Sequence, residues 1–236
     1  MKTKPSVFSC KTSIVAVIAS RKDLLIALRY PNMADIYEWR VDCIHGKRIF
    51  EGIERLKRLD KAIILTVRAP DEGGKRPSWD REKRERLIRK YLHLASVVDI
   101  EANSAVNFRK LIADIQHRGI TVNFSFHVLE PTAFKIMKVP LDWFVKVFEL
   151  LRARRDIFKV AVKIEDTETM RLFSRHVYSL MKKFPGRVAP MPIGEKYGKR
   201  LRLEYARRGA ALVYCCLDDA VVPGQWQVSE LRRKLA

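Results

Sequence analysis

The feature that most constrains the fold of this chain is a regular alternation of strand-like and helix-like segments. Short runs rich in β-branched and aromatic residues recur eight times, and helical spacing of apolar residues separates them. Eight such units in 236 residues are typical of a (β/α)8 barrel, in which a ring of parallel strands lies inside a ring of helices. The predicted strands are Ile14–Ala19, Tyr37–Val41, Ile63–Val67, Val97–Glu101, Thr121–Phe126, Lys159–Ile164, Arg187–Pro192 and Ala211–Cys215.

The alternative fold is an open doubly wound sheet, which often carries a glycine-rich first turn. Here the first turn is Ala19-Ser20-Arg21-Lys22, without that pattern. No linker or internal repeat divides the chain, so residues 1–236 are predicted to form a single α/β domain, a TIM barrel. The predicted helices are Lys22–Leu28, Gly52–Leu59, Asp80–Leu94, Ala105–Arg118, Thr132–Arg154, Thr167–Lys183, Lys199–Arg208 and Ser229–Leu235.

Charged residues stand inside or directly after segments that should be buried strands. The run Ile63–Val67 leads into Arg68 and then a loop with Glu72 and two glycines. The segment Glu38–Asp42 carries a charge at every second position, which places the charges on one face of a strand. Because an unpaired buried charge costs several kcal/mol, partner charges or a ligand must compensate for them. We therefore predict a functional site at the C-terminal ends of the strands.

The chemistry of this predicted site centres on a lysine. Lys159 and Lys163 share one face of the sixth strand. Desolvation and neighbouring cations favour a neutral amine, which can attack a ketone or aldehyde to give a Schiff base. His127, at the end of the fifth strand, can transfer protons, and Glu72 can orient it. These residues predict imine-assisted proton abstraction and elimination, or an aldol-type reaction.

Each of these residues also has a purely structural interpretation. A barrel lysine can belong to a salt bridge, a histidine can be satisfied at a strand end, and a loop carboxylate can pair at the surface. The structural pairs to test are Lys159 with Glu38 or Asp42, and Glu72 with Lys75 or Arg76.

The net charge of +20 sets this chain apart from an average composition. A strongly basic surface is typical of nucleic-acid-binding proteins. The densest basic run, Arg81–Arg86, however, interleaves glutamates on a predicted helix, as in a solvated, partly self-paired face. No zinc spacing, helix-turn-helix pattern or aromatic RNA-binding signature accompanies it. We therefore expect a solvated surface or an anion site, and no nucleic-acid partner.

The remaining composition bears on location and metals. No apolar run approaches the roughly 20 residues that span a bilayer, and the apolar run Ser13–Ala19 is too short and strand-like for a signal-peptide core. No C-x-x-C or histidine ligand spacing occurs, so we expect neither a disulfide framework nor a metal site. A reduced, cytoplasmic protein without membrane association fits best. The four cysteines are Cys10, Cys43, Cys215 and Cys216.

Five segments, in order along the chain, resemble the motifs of the type I 3-dehydroquinate dehydratases. Each match alone is weak, but their common order over nearly the whole chain is a specific signal. The family's Glu-x-Arg-x-Asp matches Glu38–Asp42, and its Arg-x-x-x-Glu-Gly-Gly segment matches Arg68–Gly74. The other matches are Ser125-Phe126-His127 followed by Pro131-Thr132, then Lys159-Val160-Ala161-Val162, and Pro223-Gly224-Gln225.

This resemblance implies a TIM-barrel lyase that converts 3-dehydroquinate to 3-dehydroshikimate and water in the shikimate pathway of aromatic amino acid biosynthesis. It implies a homodimer, and neither a cofactor nor a metal. Lys159 would form a Schiff base with the substrate ketone, His127 would remove a proton and then protonate the leaving hydroxyl, and Glu72 would orient His127. The implied substrate-binding residues are Arg202, for the carboxylate, and Glu38, Arg40, Arg68 and Gln225, for the hydroxyls and ring.

The chain departs from the family pattern near its C-terminus. The loop Glu195–Arg202 lacks two serines of the family, and Val221 replaces a serine that contacts substrate there. A lost hydrogen bond of this kind costs roughly 0.5–1.5 kcal/mol, so we expect weaker substrate binding rather than loss of the chemistry. Lys163 is also unusual, and it either lowers the pKa of Lys159 further or points to solvent.

Two rival hypotheses therefore stay open. One is another Schiff-base lyase or aldolase that acts on a different small keto acid. The other is a degenerate basic barrel that only binds anions or nucleic acid. Retention of Lys159, His127 and Glu72 together argues against degeneration, because drift would not spare all three.

Overall fold

A computed structural model describes residues 11–130 and 138–236, and within them nine parallel strands form one curled sheet. Its strand order is β7-β6-β5-β4-β3-β2-β1-β8-β9. Consecutive strands pair in parallel from β1 to β7, so each connection crosses back over the outside of the sheet. The strands are β1 (Ser13–Ile18), β2 (Ile36–Arg40), β3 (Ala62–Thr66), β4 (Val97–Glu101), β5 (Thr121–Val128), β6 (Ile157–Lys163), β7 (Val188–Ile193), β8 (Leu212–Cys216) and β9 (Trp226–Gln227).

Helices fill the crossovers and pack around the sheet. Helix α2 shows the pattern, because Ile49, Ile53 and Leu56 lie on one buried stripe while its charged residues are mostly exposed. The helices are α1 (Arg21–Arg29), α2 (Lys47–Arg58), α3 (Arg81–Tyr91), α4 (Ala102–Ala105), α5 (Arg109–His117), α6 (Lys138–Leu151), α7 (Thr167–Lys183), α8 (Gly198–Arg207) and α9 (Val228–Leu235), with 3₁₀ turns at Pro70–Glu72 and Leu92–Leu94.

The sheet curls until β7 lies beside β8, which closes the barrel. A backbone hydrogen bond from Ala211 N to Val188 O, 2.7 Å long, crosses this junction. The backbone oxygens of Arg187 and Ile193 accept hydrogen bonds from Phe158 N and Ile164 N, so the odd-numbered residues of β7 face β6. The backbone nitrogens of Pro190 and Pro192 therefore face β8, and a proline nitrogen carries no hydrogen to donate. We call this junction the β7–β8 seam.

Two apolar layers hold the fold together. The larger one lies between the strands and the helices, and its largest side chains include Trp39, Phe124 and Phe148. A smaller cluster fills the inside of the barrel, and it includes Val15, Ile64 and Tyr214. Since side chains alternate between these layers along each strand, a polar residue on the inner face points into the barrel.

The single α/β barrel predicted from the alternation is confirmed, with strand ends that differ by up to two residues. Strand β4 and helix α7 have the predicted bounds. The short strand β9 and the short helix α4 were not predicted, and the predicted helix from Ala105 to Arg118 is the shorter α5, which begins at Arg109. The predicted helix start at Pro131-Thr132 lies outside the described residues.

Two further expectations concern cysteines and membranes. Cys43, Cys215 and Cys216 are free thiols, and Cys10 lies outside the described residues. Within residues 11–130 and 138–236, no helix has the length and apolar character needed to cross a membrane.

Candidate active site

A cleft with an empty volume of about 510 Å³ opens where the strands end. Most of the predicted site residues line it, and they come from five different strands or the loops that follow them. This is the end of a parallel barrel at which functional groups are expected. The lining residues are Val17, Glu38, Arg40, Arg68, Glu72, Gly73, His127, Leu129, Lys159, Met191, Ile193, Val221, Val222 and Gln225.

Lys159 lies at the floor of this cleft and is 2% exposed. Its Nζ is 3.4 Å from Asp99 Oδ2 and 3.8 Å from Glu38 Oε1. It also lies over the ring of Tyr214, 4.2 Å from the centroid. Burial lowers the pKa of Lys159, and Arg68 adds to this effect, whereas Asp99 and Glu38 oppose it. The predicted salt bridge with Glu38 therefore exists, but Asp99, and not Asp42, is the closer partner.

His127 and Glu72 form a buried pair at the mouth of the cleft. The Nδ1 of His127 lies 2.8 Å from Glu72 Oε2, and Asn103 Nδ2 donates to Glu72 Oε1 at 3.0 Å. Burial, followed by the negative charge of Glu101, raises the pKa of Glu72 to about 8. Burial and the charge of Arg68 hold the pKa of His127 well below its usual value, so its ring is neutral. The geometry places His127 to accept a proton at Nε2 while Glu72 fixes Nδ1.

The alternative in which Glu72 pairs at the surface with Lys75 or Arg76 is wrong, because Glu72 is only 5% exposed. The loop folds inward immediately after β3. Its 3₁₀ turn at Pro70–Glu72 is closed by a hydrogen bond from Gly74 N to Ala69 O at 2.9 Å. A Cβ at Gly74 would lie 2.4 Å from Arg68 O, so this tight approach requires glycine. The two glycines therefore serve the turn that presents Glu72.

Buried carboxylates that the sequence analysis did not identify surround Arg68. Arg68 Nη2 lies 2.8 Å from Asp99 Oδ1, and Nη1 lies 3.1 Å from Glu101 Oε1 and 2.7 Å from Ser125 Oγ. Arg68 and Lys159 hold the pKa of Asp99 below its usual value although burial acts to raise it. The signal for both acids was present, since β4 alternates carboxylates with apolar residues in Val97–Glu101.

In the segment Glu38–Asp42, Glu38 and Arg40 line the cleft, but Asp42 does not share their face of the strand as predicted. Glu38 faces the cleft and accepts a hydrogen bond from Thr66 Oγ1 at 2.8 Å. Arg40 makes a two-point contact with Asp42, from Nε at 2.9 Å and from Nη2 at 2.7 Å. Strand β2 ends at Arg40, so Asp42 lies beyond the strand and does not extend its charged face. Asp42 positions Arg40 and is not among the residues that line the cleft.

Arg202 is 1% exposed and lies behind the wall of the cleft instead of lining it. Its Nε donates to Pro192 O and its Nη1 to Tyr214 O, each at 3.1 Å, so its guanidinium spans the β7–β8 seam. Nη2 is buried and has no hydrogen-bond partner among the described residues. Burial lowers the pKa of Arg202 to about 10. A buried cation with one uncommitted donor suits a carboxylate ligand, and its contact with substrate stays a prediction.

The loop after β8 supplies Val221 and Gln225 to the cleft. Gln225 Oε1 accepts from the backbone N–H groups of Val221, at 2.7 Å, and Val222, at 3.2 Å. These bonds fix the Gln225 amide beside the cleft. Val221 presents an apolar side chain at the position where the family pattern has a serine.

The structure also decides the interpretations of two basic parts of the sequence, Lys163 and the run Arg81–Arg86. Lys163 points outward and pairs with Glu165 at 2.8 Å, so of its two interpretations the solvent-facing one is correct. The prediction that the run Arg81–Arg86 is a solvated, partly self-paired face is wrong at one position, because Arg84 is buried and pairs with Glu101. The interleaved charges of this run alone gave no sign that one arginine points inward.

Comparisons with known proteins agree with this geometry. The family model for type I 3-dehydroquinase matches residues 14–236. A 3-dehydroquinate dehydratase of Aquifex aeolicus is 31% identical over 213 residues, which is 85% of this chain and 88% of that protein. The crystal structure of the 3-dehydroquinate dehydratase from Aquifex aeolicus superimposes with a TM-score of 0.72 at 26% identity, covering 94% of this chain and 97% of the other. That from Geobacillus kaustophilus, at 20% identity, has a TM-score of 0.77 over 95% of this chain and 90% of the other, and it supports the fold.

Proposed function

Because this chain belongs to the type I 3-dehydroquinase family, we propose that it dehydrates 3-dehydroquinate to 3-dehydroshikimate through a Schiff base on Lys159. One observation carries this proposal above the others. A desolvated lysine amine and a buried, neutral histidine held by a carboxylate line one cleft that is open to solvent. Those are the groups that an imine-assisted elimination requires.

The reaction begins when the neutral Nζ of Lys159 attacks the substrate ketone. Loss of water from the resulting carbinolamine gives a protonated imine, whose positive charge draws electrons from the neighbouring C–H bond. His127 takes that proton at Nε2, which leaves an enamine. The enamine then expels the hydroxyl group, which receives the proton from His127 and departs as water. Hydrolysis of the remaining imine releases 3-dehydroshikimate and restores the Lys159 amine.

The carboxylates around Lys159 have a defined task in this sequence. Asp99 and Glu38 lie within 4 Å of Nζ, at 3.4 and 3.8 Å. They stabilise the cationic imine, because its positive charge lies at the same nitrogen, Nζ. Glu72 stabilises the imidazolium of His127 after proton transfer and fixes which ring nitrogen is free.

Substrate binding follows from the cations and polar groups of the cleft. Arg202 binds the substrate carboxylate with its uncommitted Nη2, and Glu38, Arg40, Arg68 and Gln225 bind the hydroxyls and hold the ring. Val221 offers no hydroxyl, so one polar contact is absent and binding is weaker. We also propose that residues 1–236 form one domain, and that the protein is a cytoplasmic homodimer that needs no cofactor or metal.

The test is a spectrophotometric assay of 3-dehydroshikimate formation by wild type and by Lys159→Ala. We expect turnover by the wild type and a loss of at least roughly a thousandfold in the variant, because both nucleophile and electron sink are removed. Borohydride reduction with substrate present should leave substrate or product attached to wild type as a secondary amine, with the corresponding mass increase, and should leave the variant unmodified. Lys163→Ala, which changes the neighbouring exposed lysine, is the matched control and should keep both signals.

Absence of wild-type turnover at high substrate concentration would contradict the proposal. Borohydride trapping of other small keto acids would then favour the rival Schiff-base lyase. A protein that traps none of them, but binds DNA with strong salt dependence, would favour the basic binding module.

A further inference from the structure

A buried arginine outside the cleft reaches the carboxylate network from behind. Arg84 lies on α3 and is 4% exposed, although most charged residues of this helix face solvent. Its Nη2 pairs with Glu101 Oε2, its Nε donates to Val67 O at 3.0 Å, and its Nη1 donates to Ser104 Oγ at 3.3 Å. The guanidinium also lies 5.5 Å from the ring centroid of Phe108. Contacts on several sides therefore fix its position.

Glu101 connects this arginine to two parts of the cleft. Its Oε1 accepts from Arg68 Nη1 at 3.1 Å and from Ala69 N at 2.8 Å. Arg68 lines the cleft, and Ala69 is the residue from which the 3₁₀ turn bearing Glu72 begins. One carboxylate oxygen of Glu101 thus holds the cleft side, and the other holds Arg84.

We propose that Arg84 is a positioning residue for the reaction, which fixes Glu101 and, through it, the turn that presents Glu72 to His127. This inference rests on the function proposed above. A buried carboxylate that loses one of its cationic partners is free to rotate or to draw in water, and either change releases Ala69 and Arg68. Arg84 does not line the cleft, so it acts through the groups it holds, chiefly Glu101 and also the backbone oxygen of Val67, which directly precedes Arg68.

The electrostatics give this role a distinctive signature. After burial, the charge of Glu101 is the main influence that raises the pKa of Glu72. A cation on the far side of Glu101 offsets part of that influence. Removal of Arg84 takes this offset away and so raises the pKa of Glu72 further.

The experiment compares Arg84→Met with Arg81→Met, which makes the same change on the same helix at an exposed arginine paired with exposed Glu82. We expect kcat of Arg84→Met to fall about 10- to 100-fold, and KM to change much less than kcat, because Asp99 and Ser125 still bind Arg68. The acid limb of its pH–kcat profile should move to higher pH. Borohydride trapping on Lys159 should persist, because Arg84 does not hold the nucleophile. Arg81→Met should keep wild-type values.

Wild-type kcat and an unshifted profile in folded Arg84→Met would overturn the proposal, as would a loss of activity without any shift of the profile. Arg84→Lys keeps the charge but lacks the planar fork that reaches Val67 and Ser104. It should show a reduced kcat with an acid limb near that of wild type. If the methionine variant does not fold, wild-type kcat in Arg84→Lys overturns the proposal.

A titration without substrate separates this inference from the proposed function. The ring protons of His127, followed by NMR against pH, report the ionisation of Glu72 at 2.8 Å from Nδ1. That step should move to higher pH in Arg84→Met and stay in place in Arg81→Met. If wild type fails to turn over 3-dehydroquinate, the proposed function fails, while this titration still decides whether Arg84 acts on Glu72.

Discussion

At the scale of single residues, the pair formed by Glu72 and His127 sets the pH dependence of the reaction. Glu72 must be ionised to hold and polarise His127, and its pKa is raised to about 8. As pH falls through that value, the pair takes up a proton and the base is lost. We therefore expect kcat/KM to rise with pH and to level off above about 8. The proton belongs to the pair, so the observed step reports both groups together.

Glu72→Gln is the variant that tests this assignment. It keeps the size of the side chain but cannot ionise, so the step near pH 8 should disappear. We expect kcat/KM to fall about 100-fold, which is at the lower end of what general acid–base catalysis contributes. An Asp71→Asn variant, next along the chain and exposed, is the control. A Glu72→Gln profile that retains the wild-type step would exclude Glu72 as its source.

The residues of the site differ in how far the sequence could reveal them. Lys159, His127 and Glu72 stood out because reactive groups lay within, at the end of or shortly after strand-like runs, and the structure brings all three to one cleft. Asp99 and Glu101 carried the same signal in β4 but were not identified. Arg84 was not identified either, although it precedes Ile88 and Tyr91 by four and seven residues, a spacing that places it on the buried stripe of α3.

At the scale of elements, close approach of glycines joins the loops after β7 and β8. Gly224 has a φ of +81°, and a Cβ there would lie 2.4 Å from Gly194 O and 2.8 Å from the Cα of Gly198. Both contacts are with backbone atoms, which cannot move aside as a side chain can. Gln225 follows directly, so this contact also places the amide that borders the cleft.

Gly224→Ala should therefore destabilise the protein by about 1–3 kcal/mol and raise KM, since the loop carrying Gln225 must shift. Thermal unfolding and steady-state kinetics measure the two effects. Gly209→Ala is a matched control, because Gly209 has a φ of +87° but no atom within 4 Å of the added Cβ. It shares the cost of a left-handed conformation without the clash. Equal losses in both variants would mean that the glycine contact contributes nothing.

Elements were easier to predict than their ends. Strand β4 and helix α7 were predicted to the residue because clear turn residues flank them. Strand β5 extends past its predicted end at Phe126 to Val128, since pairing with β6 continues through His127 and Val128. Strand β9, of two residues, forms only because β8 offers an edge to Trp226 and Gln227. Such pairing is a tertiary effect that local sequence does not contain.

At the scale of the whole molecule, the net charge of +20 acts on an anionic substrate before contact. Exposed cations on the loops after β3 and β7 and in the first turn of α8, among them Lys75, Lys196 and Arg200, place part of this charge near the entrance. We expect kcat/KM to fall roughly three- to tenfold as salt screens this field. The kcat at saturating substrate should change little, because the buried groups are screened far less.

Charge variants locate the origin of that dependence. Lys196→Gln combined with Arg200→Gln should flatten the plot of kcat/KM against ionic strength. Arg58→Gln combined with Lys182→Gln removes the same charge from the last turns of α2 and α7, at the opposite end of the barrel. This distal pair should keep most of the wild-type slope. Identical slopes in both double variants would assign the effect to net charge rather than to its placement.

Because of the β7–β8 seam, the hydrogen bonding between strands is not uniform around the barrel. At this seam Pro190 and Pro192 carry no backbone N–H, so the pairing of β7 with β8 has fewer possible hydrogen bonds than a pairing without proline. Met191 and Ile193 line the cleft on one side of it, and Val221 and Gln225 line the other. We therefore expect movement at the seam to change the width of the cleft. Arg202 donates hydrogen bonds to both strands of the seam, so a carboxylate bound to Arg202 would restrict movement of β7 relative to β8.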